Sequence, residues 1–230
     1  MKQNYAVKDS EDLANLLAAL LNDTVTPTLQ LADPDLLSYY RRIEDREYLL
    51  ASGVDESIND LLHWVRVWNK EDDKAGVSAD KRHPITILLD TPGGYTMEGL
   101  VAYSVLKASR TPIRVVTLNK CASIGMVIML GAKQGERYAF ENSTFLIHDG
   151  YVAYGDSLNK TQDTLEYNKK LDDRYRDAIL ANTKISPELY EVKKRVEWYI
   201  SAEEALELGL IDHIVTDLSQ ISEVVQADDE

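Results

Sequence analysis

The 230 residues carry 25 Lys and Arg against 39 Asp and Glu, a net charge of −14, and so lack the basic stripe that displaces counterions from a phosphate backbone; nucleic acid is not an expected partner. The longest apolar run, Leu16 to Leu21, is six residues long, against the roughly 20 that a membrane helix needs, so no membrane is expected either. One cysteine, Cys121, permits no internal disulfide, and Met1-Lys2-Gln3-Asn4 opens no apolar signal segment, which together predict a cytoplasmic protein.

In chain order, Leu13, Leu16, Leu17, Leu20 and Leu21 recur at helical spacing behind an Asp9 or Ser10 cap. The stretch Asn22 to Asp35, with Thr-Pro-Thr and Asp-Pro, reads as a connector, so residues 1–35 are expected to form a helical appendage to a main domain over 36–218. Tyr48 to Gly53 predicts a short strand. Ile58, Leu61, Leu62, Val65 and Trp68 predict an amphipathic helix, and charged Asn69 to His83 a solvated loop. Ile85-Thr86-Ile87-Leu88-Leu89 is the kind of apolar run that suits a strand buried on both faces.

After Thr91-Pro92-Gly93-Gly94 comes a helix carrying Met97, Val101 and Val105, then a second buried strand over Ile113 to Leu118, which completes a βαβ unit. A small-residue turn at Cys121-Ala122-Ser123 leads into an apolar helix over Ile124 to Leu130, and a third strand, Ser143 to Ile147, runs directly into His148. A long, largely charged helix covers Ser157 to Asn182, with Leu165, Leu171, Tyr175 and Ile179 as its apolar face. Ser186-Pro187 opens another helix, Ser201 to Glu204 forms a capping box closed by Gly209, and His213-Ile214-Val215 is a last strand. An acidic tail, 219–230, follows. The fold class is therefore α/β with a parallel sheet.

Three features meet at one edge of that sheet. Ser123 follows a strand and opens a helix; by itself it reads first as a simple helix cap. Gly93-Gly94 ends the neighbouring strand and allows backbone N–H groups to approach a ligand closely. His148 ends the third strand, and open α/β sheets collect their ligands at the C-terminal ends of such strands.

The blocks Ile87 to Gly94, Cys121-Ala122-Ser123-Ile124-Gly125 and Phe145-Leu146-Ile147-His148 resemble the proteolytic subunit of the Clp protease family. The family spaces its second Gly, its Ser and its His by 29 and 25 residues, and here Gly94 to Ser123 and Ser123 to His148 are 29 and 25. The segment from Tyr199 through Asp212 is similar to the family's closing helix and strand, so the resemblance runs from about Arg46 to Val215. It implies a Clp protease/crotonase-like ββα superhelix with a parallel sheet and a protruding handle helix over 157–182. It also implies acyl transfer by Ser123 with His148 as base, and an oxyanion hole from the backbone N–H groups of Gly94 and Ile124.

The family's third member is an Asp 49 residues after the His, a position held here by Glu197; Asp172 and Asp173 are the alternative carboxylates. By resemblance the partners are further copies in a heptameric or double-heptameric ring, an AAA+ unfoldase and polypeptide substrates. No cofactor or metal is implied, and His63, His83 and His213 are expected in structural or solvated roles. Cys121 is expected in packing. A latent ring subunit and a crotonase-like acyl-CoA enzyme are the competing expectations; the Ser-His spacing argues against the second.

Overall fold

The computed structural model describes residues 34–151, 153, 155 and 157–221. The expected helix over Leu13 to Leu21 and the tail from residue 222 lie outside them. The chain divides into two compact units, residues 1–40 and 41–230. Helix α1 spans Pro34–Glu44. Its first two residues, Pro34 and Asp35, fall in the stretch expected as a connector, and the rest had no expected element; Pro34 stands where proline is tolerated, in the first helical turn.

The sheet is built on β2 (Ile85–Thr91) and β3 (Ile113–Ala122). Ile85, Ile87 and Leu89 are fully buried, while the residues between them are half-buried. Only β3 is covered on both sides along its first half, Ile113 to Thr117. Burying each such aliphatic side chain contributes roughly 1.5–3 kcal/mol. Strand β1 (Glu47–Leu50) flanks β2; β4 (Arg137–Phe140) and β7 (His213–Val215) extend the sheet beyond β3 in the order β1-β2-β3-β4-β7. All these pairs are parallel. The four-residue β4 was not expected, being too short for its alternation to stand out.

Helix α2 spans Ile58–Lys74, so the solvated loop expected from Asn69 begins a turn and a half later. The apolar stripe of α2 continues into a charged residue. Asp72 is buried and held by Arg46, whose Nη1 and Nη2 donate to its two oxygens at 2.9 and 2.7 Å, and by Thr111 Oγ1 at 2.6 Å. A paired carboxylate in a core position is invisible to a pattern of apolar residues.

Strand β3 runs four residues beyond its expected end and changes partner as it goes. Its first half pairs with β4, and Lys120 to Ala122 pair with β5 (Thr144–Ile147). Between them the register with β2 shifts: Leu89 faces Thr117, but Thr91 faces Cys121. Asp90 Oδ1 accepts from the Lys120 N–H at 3.2 Å and from Asn119 Nδ2 at 3.4 Å, which satisfies the irregular stretch. Strand β6 (Trp198–Ile200), also unexpected, runs antiparallel to β5.

Around the sheet lie α3 (Thr96–Ala108), the wholly buried α4 (Ile124–Met129), α5 (Leu158–Asn182), α6 (Pro187–Lys193) and α7 (Ala202–Glu207), the last closed at its start by the Ser201–Glu204 capping box. The buried side chains of α5 are Leu171, Tyr175, Ala178 and Ile179. Its first half is therefore exposed.

Candidate active site

Ser123 turns the chain from β3 into α4 with φ 54° and ψ −130°. Among the described residues, only Arg46 and Ser123 have positive φ without being glycine. Such a conformation costs on the order of 1–3 kcal/mol and must be held by its surroundings. Here the Ser123 N–H donates to Leu146 O at 2.8 Å, and Ser123 O accepts from the Met126 N–H at 3.0 Å and from Tyr175 Oη at 3.3 Å. The result is a half-buried serine beside the N–H of Ile124, which as the first residue of α4 has no intrahelical acceptor.

Gly93 and Gly94 face this turn. A Cβ on Gly93, whose φ is 91°, would lie 2.6 Å from Ser123 Cβ, and one on Gly94 would lie 2.1 Å from Val54 O. No side chain fits either position. Val54 N–H donates to Gly93 O and Tyr95 N–H to Val54 O, both at 2.8 Å. These two bonds flank Gly94 and leave its own N–H without an acceptor among the described residues.

His148 and Glu197 meet through the β5–β6 pairing. Ile147 faces Trp198 in that antiparallel register, so one residue further along each chain His148 faces Glu197. Nδ1 of His148 stands 3.1 Å from Oε1 of Glu197. The His side chain is 28% exposed and the Glu side chain 57%. The next residue is anchored as well, Asp149 N–H donating to Lys194 O at 2.8 Å.

The other two carboxylates are engaged elsewhere. Asp173 pairs with Arg176 at 2.8 Å, and Asp172 approaches Lys194 Nζ at 3.9 Å. Burial pushes the Asp172 carboxyl up, Lys194 draws it down, and Asp149 and Asp173 push it up again.

Gly94, Ser123, Ile124 and His148 line one cleft of about 980 Å³, walled on the other side by Leu171 and Tyr175 of α5. Glu197 stands behind His148, outside that lining. Among the described residues no hydrogen bond joins Ser123 Oγ to His148. Just past His148, Gly150, Tyr151 and Ala153 also border the cleft and carry no strand.

Cys121 is fully buried, and burial raises its thiol far above the ordinary range, so it stays protonated and inert. His63 packs edge-on to Trp64, His83 Nδ1 lies 3.0 Å from Pro84 O, and His213 stacks on Tyr138. Among the described residues no group of three metal-ligating side chains converges.

The contact from Tyr175 to the Ser123 carbonyl was not foreseen. A hydroxyl-bearing residue in the apolar stripe of α5 is itself a signal, because a buried tyrosine needs a partner for its O–H.

A family model described as Clp protease matches residues 76–217. A curated relative, the ATP-dependent Clp protease proteolytic subunit of Paracoccus denitrificans, is 27% identical over 145 residues, covering 63% of this chain and 73% of its own. A solved structure, a mutant of ClpP1 from Listeria monocytogenes, is similar with a TM-score of 0.68 at 18% identity, covering 80% of this chain and 99% of that one. At that identity the likeness speaks for the fold.

Proposed function

The chain belongs to the Clp protease family, and from that premise we propose that it is a serine endopeptidase that cleaves unfolded polypeptides or short peptides within a ring of its own copies. The observation that carries the reading is the 3.1 Å approach of Glu197 to His148 Nδ1 behind a cleft shared by Ser123, Gly94 and Ile124.

Glu197 accepts the Nδ1 proton and so holds His148 in the tautomer whose Nε2 is bare. Nε2 takes the proton of Ser123 Oγ as that oxygen bonds to the carbonyl carbon of the substrate. The carbonyl oxygen becomes an oxyanion and receives the N–H groups of Gly94 and Ile124. His148 then gives the proton to the departing amine, the C–N bond breaks, and an acyl group is left on Ser123. Water enters by the same route in reverse and frees the acid.

Resemblance to the family further supports a heptameric or double-heptameric ring and docking to an AAA+ unfoldase. The reading is tested by hydrolysis of fluorogenic peptides: wild type cleaves them, and Ser123→Ala abolishes cleavage. Equal rates in the two proteins would end it. Sizing chromatography giving only a 26.0 kDa species at micromolar concentration would remove the ring.

A second reading, a latent or non-catalytic ring subunit, is favoured by one observation: among the described residues Ser123 and His148 share no hydrogen bond. Catalytic hydrogen bonds commonly tighten only in the substrate complex. A chain that stays inert alone and gains Ser123-dependent activity with a paralogue or an unfoldase would be this second case.

A further inference from the structure

We infer that Tyr175 is a positioning residue for the oxyanion hole: its hydroxyl holds the Ser123–Ile124 peptide so that the Ile124 N–H points into the cleft. The inference rests on the serine-peptidase reading and deepens it. The carbonyl of Ser123 and the N–H of Ile124 belong to one planar trans peptide, in which the two groups point in opposite directions. Whatever fixes the carbonyl therefore aims the N–H.

Two donors reach that carbonyl. The Met126 N–H, at 3.0 Å, comes from the same short helix and moves with it. Tyr175 Oη, at 3.3 Å, comes from α5, a separate element 52 residues away in sequence. Only the second is an outside reference.

The peptide needs one. Its orientation is governed by ψ of Ser123, which at −130° with φ 54° lies in a costly region and would relieve itself by rotating this plane. On the far side of the plane Ile124 is packed against α3, where a Cβ added to Gly99 would lie 2.1 Å from Ile124 Cγ1. The peptide is thus clamped between a side-chain contact and a hydroxyl.

Tyr175 suits the task. Its ring is buried on the apolar face of α5 with Leu171 and Ile179, which limits its motion. The same burial raises its hydroxyl well above the ordinary range, so it remains a donor at neutral pH. A further consequence is that α5, which walls the cleft, also helps to hold the hole in shape.

The test replaces Tyr175 by Phe in the full chain, with Tyr190→Phe, another buried tyrosine that does not touch Ser123, as control. Active-site titration with a fluorophosphonate expresses kcat per competent Ser123, so a partly misfolded sample does not mimic the effect. We expect kcat to fall about threefold to tenfold with KM within twofold of wild type. That is a fraction of the ~100-fold cost of deleting an oxyanion donor, because the Met126 bond survives. Affinity for a peptide boronate, which mimics the tetrahedral state, falls by the same factor. The pH at half-maximal kcat does not move, since His148 and Glu197 are untouched.

A Tyr175→Phe enzyme with wild-type kcat and boronate affinity overturns the inference and leaves the serine-peptidase reading intact. An equal loss in Tyr190→Phe also overturns it, by showing a packing effect. Failure of wild type to label at Ser123 sinks the reading itself and the inference with it.

Discussion

Replacing Glu197 by Gln keeps the length and volume of the side chain and removes the charge that faces His148. At 3.1 Å two unit charges interact with about 1.3 kcal/mol in bulk water and ~5 kcal/mol at an effective dielectric of 20. With the Glu side chain 57% exposed, solvent screens the pair and the lower part of that range applies, roughly 1.5–3 kcal/mol of lost stabilisation for the imidazolium that forms during attack. The expected outcome is a fall in kcat of about 10- to 100-fold with KM little changed. That is far less than the ~10⁴-fold loss seen when a buried triad aspartate is neutralised. Glu197→Asp retains the charge but draws it back by one methylene from a strand whose register is fixed by β5, so its kcat falls below wild type as well. The assay is steady-state hydrolysis of a fluorogenic peptide, normalised by titration of Ser123. A Gln variant with kcat within twofold of wild type would refute the assignment and reduce the contact to a surface pair.

Gly94→Ala places a Cβ 2.1 Å from Val54 O, which forces open the pairing that presents the Gly94 N–H; kcat/KM should drop by more than about 100-fold, and a loss below tenfold would contradict the proposed hole. Asp72→Asn breaks the buried contact with Arg46 and should cost about 2–4 kcal/mol in denaturant unfolding without altering kcat per labelled site. Burial pushes the Asp72 carboxyl up, but hydrogen bonds from Arg46 and Thr111 and the charges of Arg46 and Arg82 outweigh it and hold the group below its ordinary range. Its contribution is therefore fully present above about pH 4 and is lost as pH falls through the lowered value; wild type should lose stability there more steeply than Asp72→Asn, and parallel acid profiles would refute this. Removal of residues 222–230, which hold four acidic groups and no Lys or Arg, should leave activity and assembly unchanged. The cut belongs after Ile221, because Gln220 Oε1 accepts from the N–H groups of Thr216 and Asp217. Loss of the assembly on truncation would make that charge part of an interface.

The alternation of strand and helix was legible wherever apolar spacing was unbroken, as in α2 up to Trp68 and in β2. It failed where a polar residue carries structure. Asp72 extends α2 by pairing with Arg46, and Asp90 lets β3 run on past Leu118. Both are long-range contacts that no local pattern encodes. Strands β4 and β6, of four and three residues, are too short to alternate visibly, and they exist because longer neighbours offer them an edge. At the site, the placement of Ser123, Gly94 and His148 at adjacent strand ends could be read from spacing. The meeting of His148 and Glu197 could be read only by resemblance, since it depends on β6 lying antiparallel to β5. The Tyr175 contact required α5 to be folded over α4, although a tyrosine among leucine and isoleucine at helical spacing already marked a hydroxyl in need of a partner.

The most direct test of the proposed function is covalent. The whole protein is treated with a fluorophosphonate at neutral pH, and the adduct is located by peptide mass mapping. One adduct per chain is expected, on Ser123, absent in Ser123→Ala and slowed in Glu197→Gln. An adduct on another residue, or equal labelling of wild type and Ser123→Ala, would contradict it.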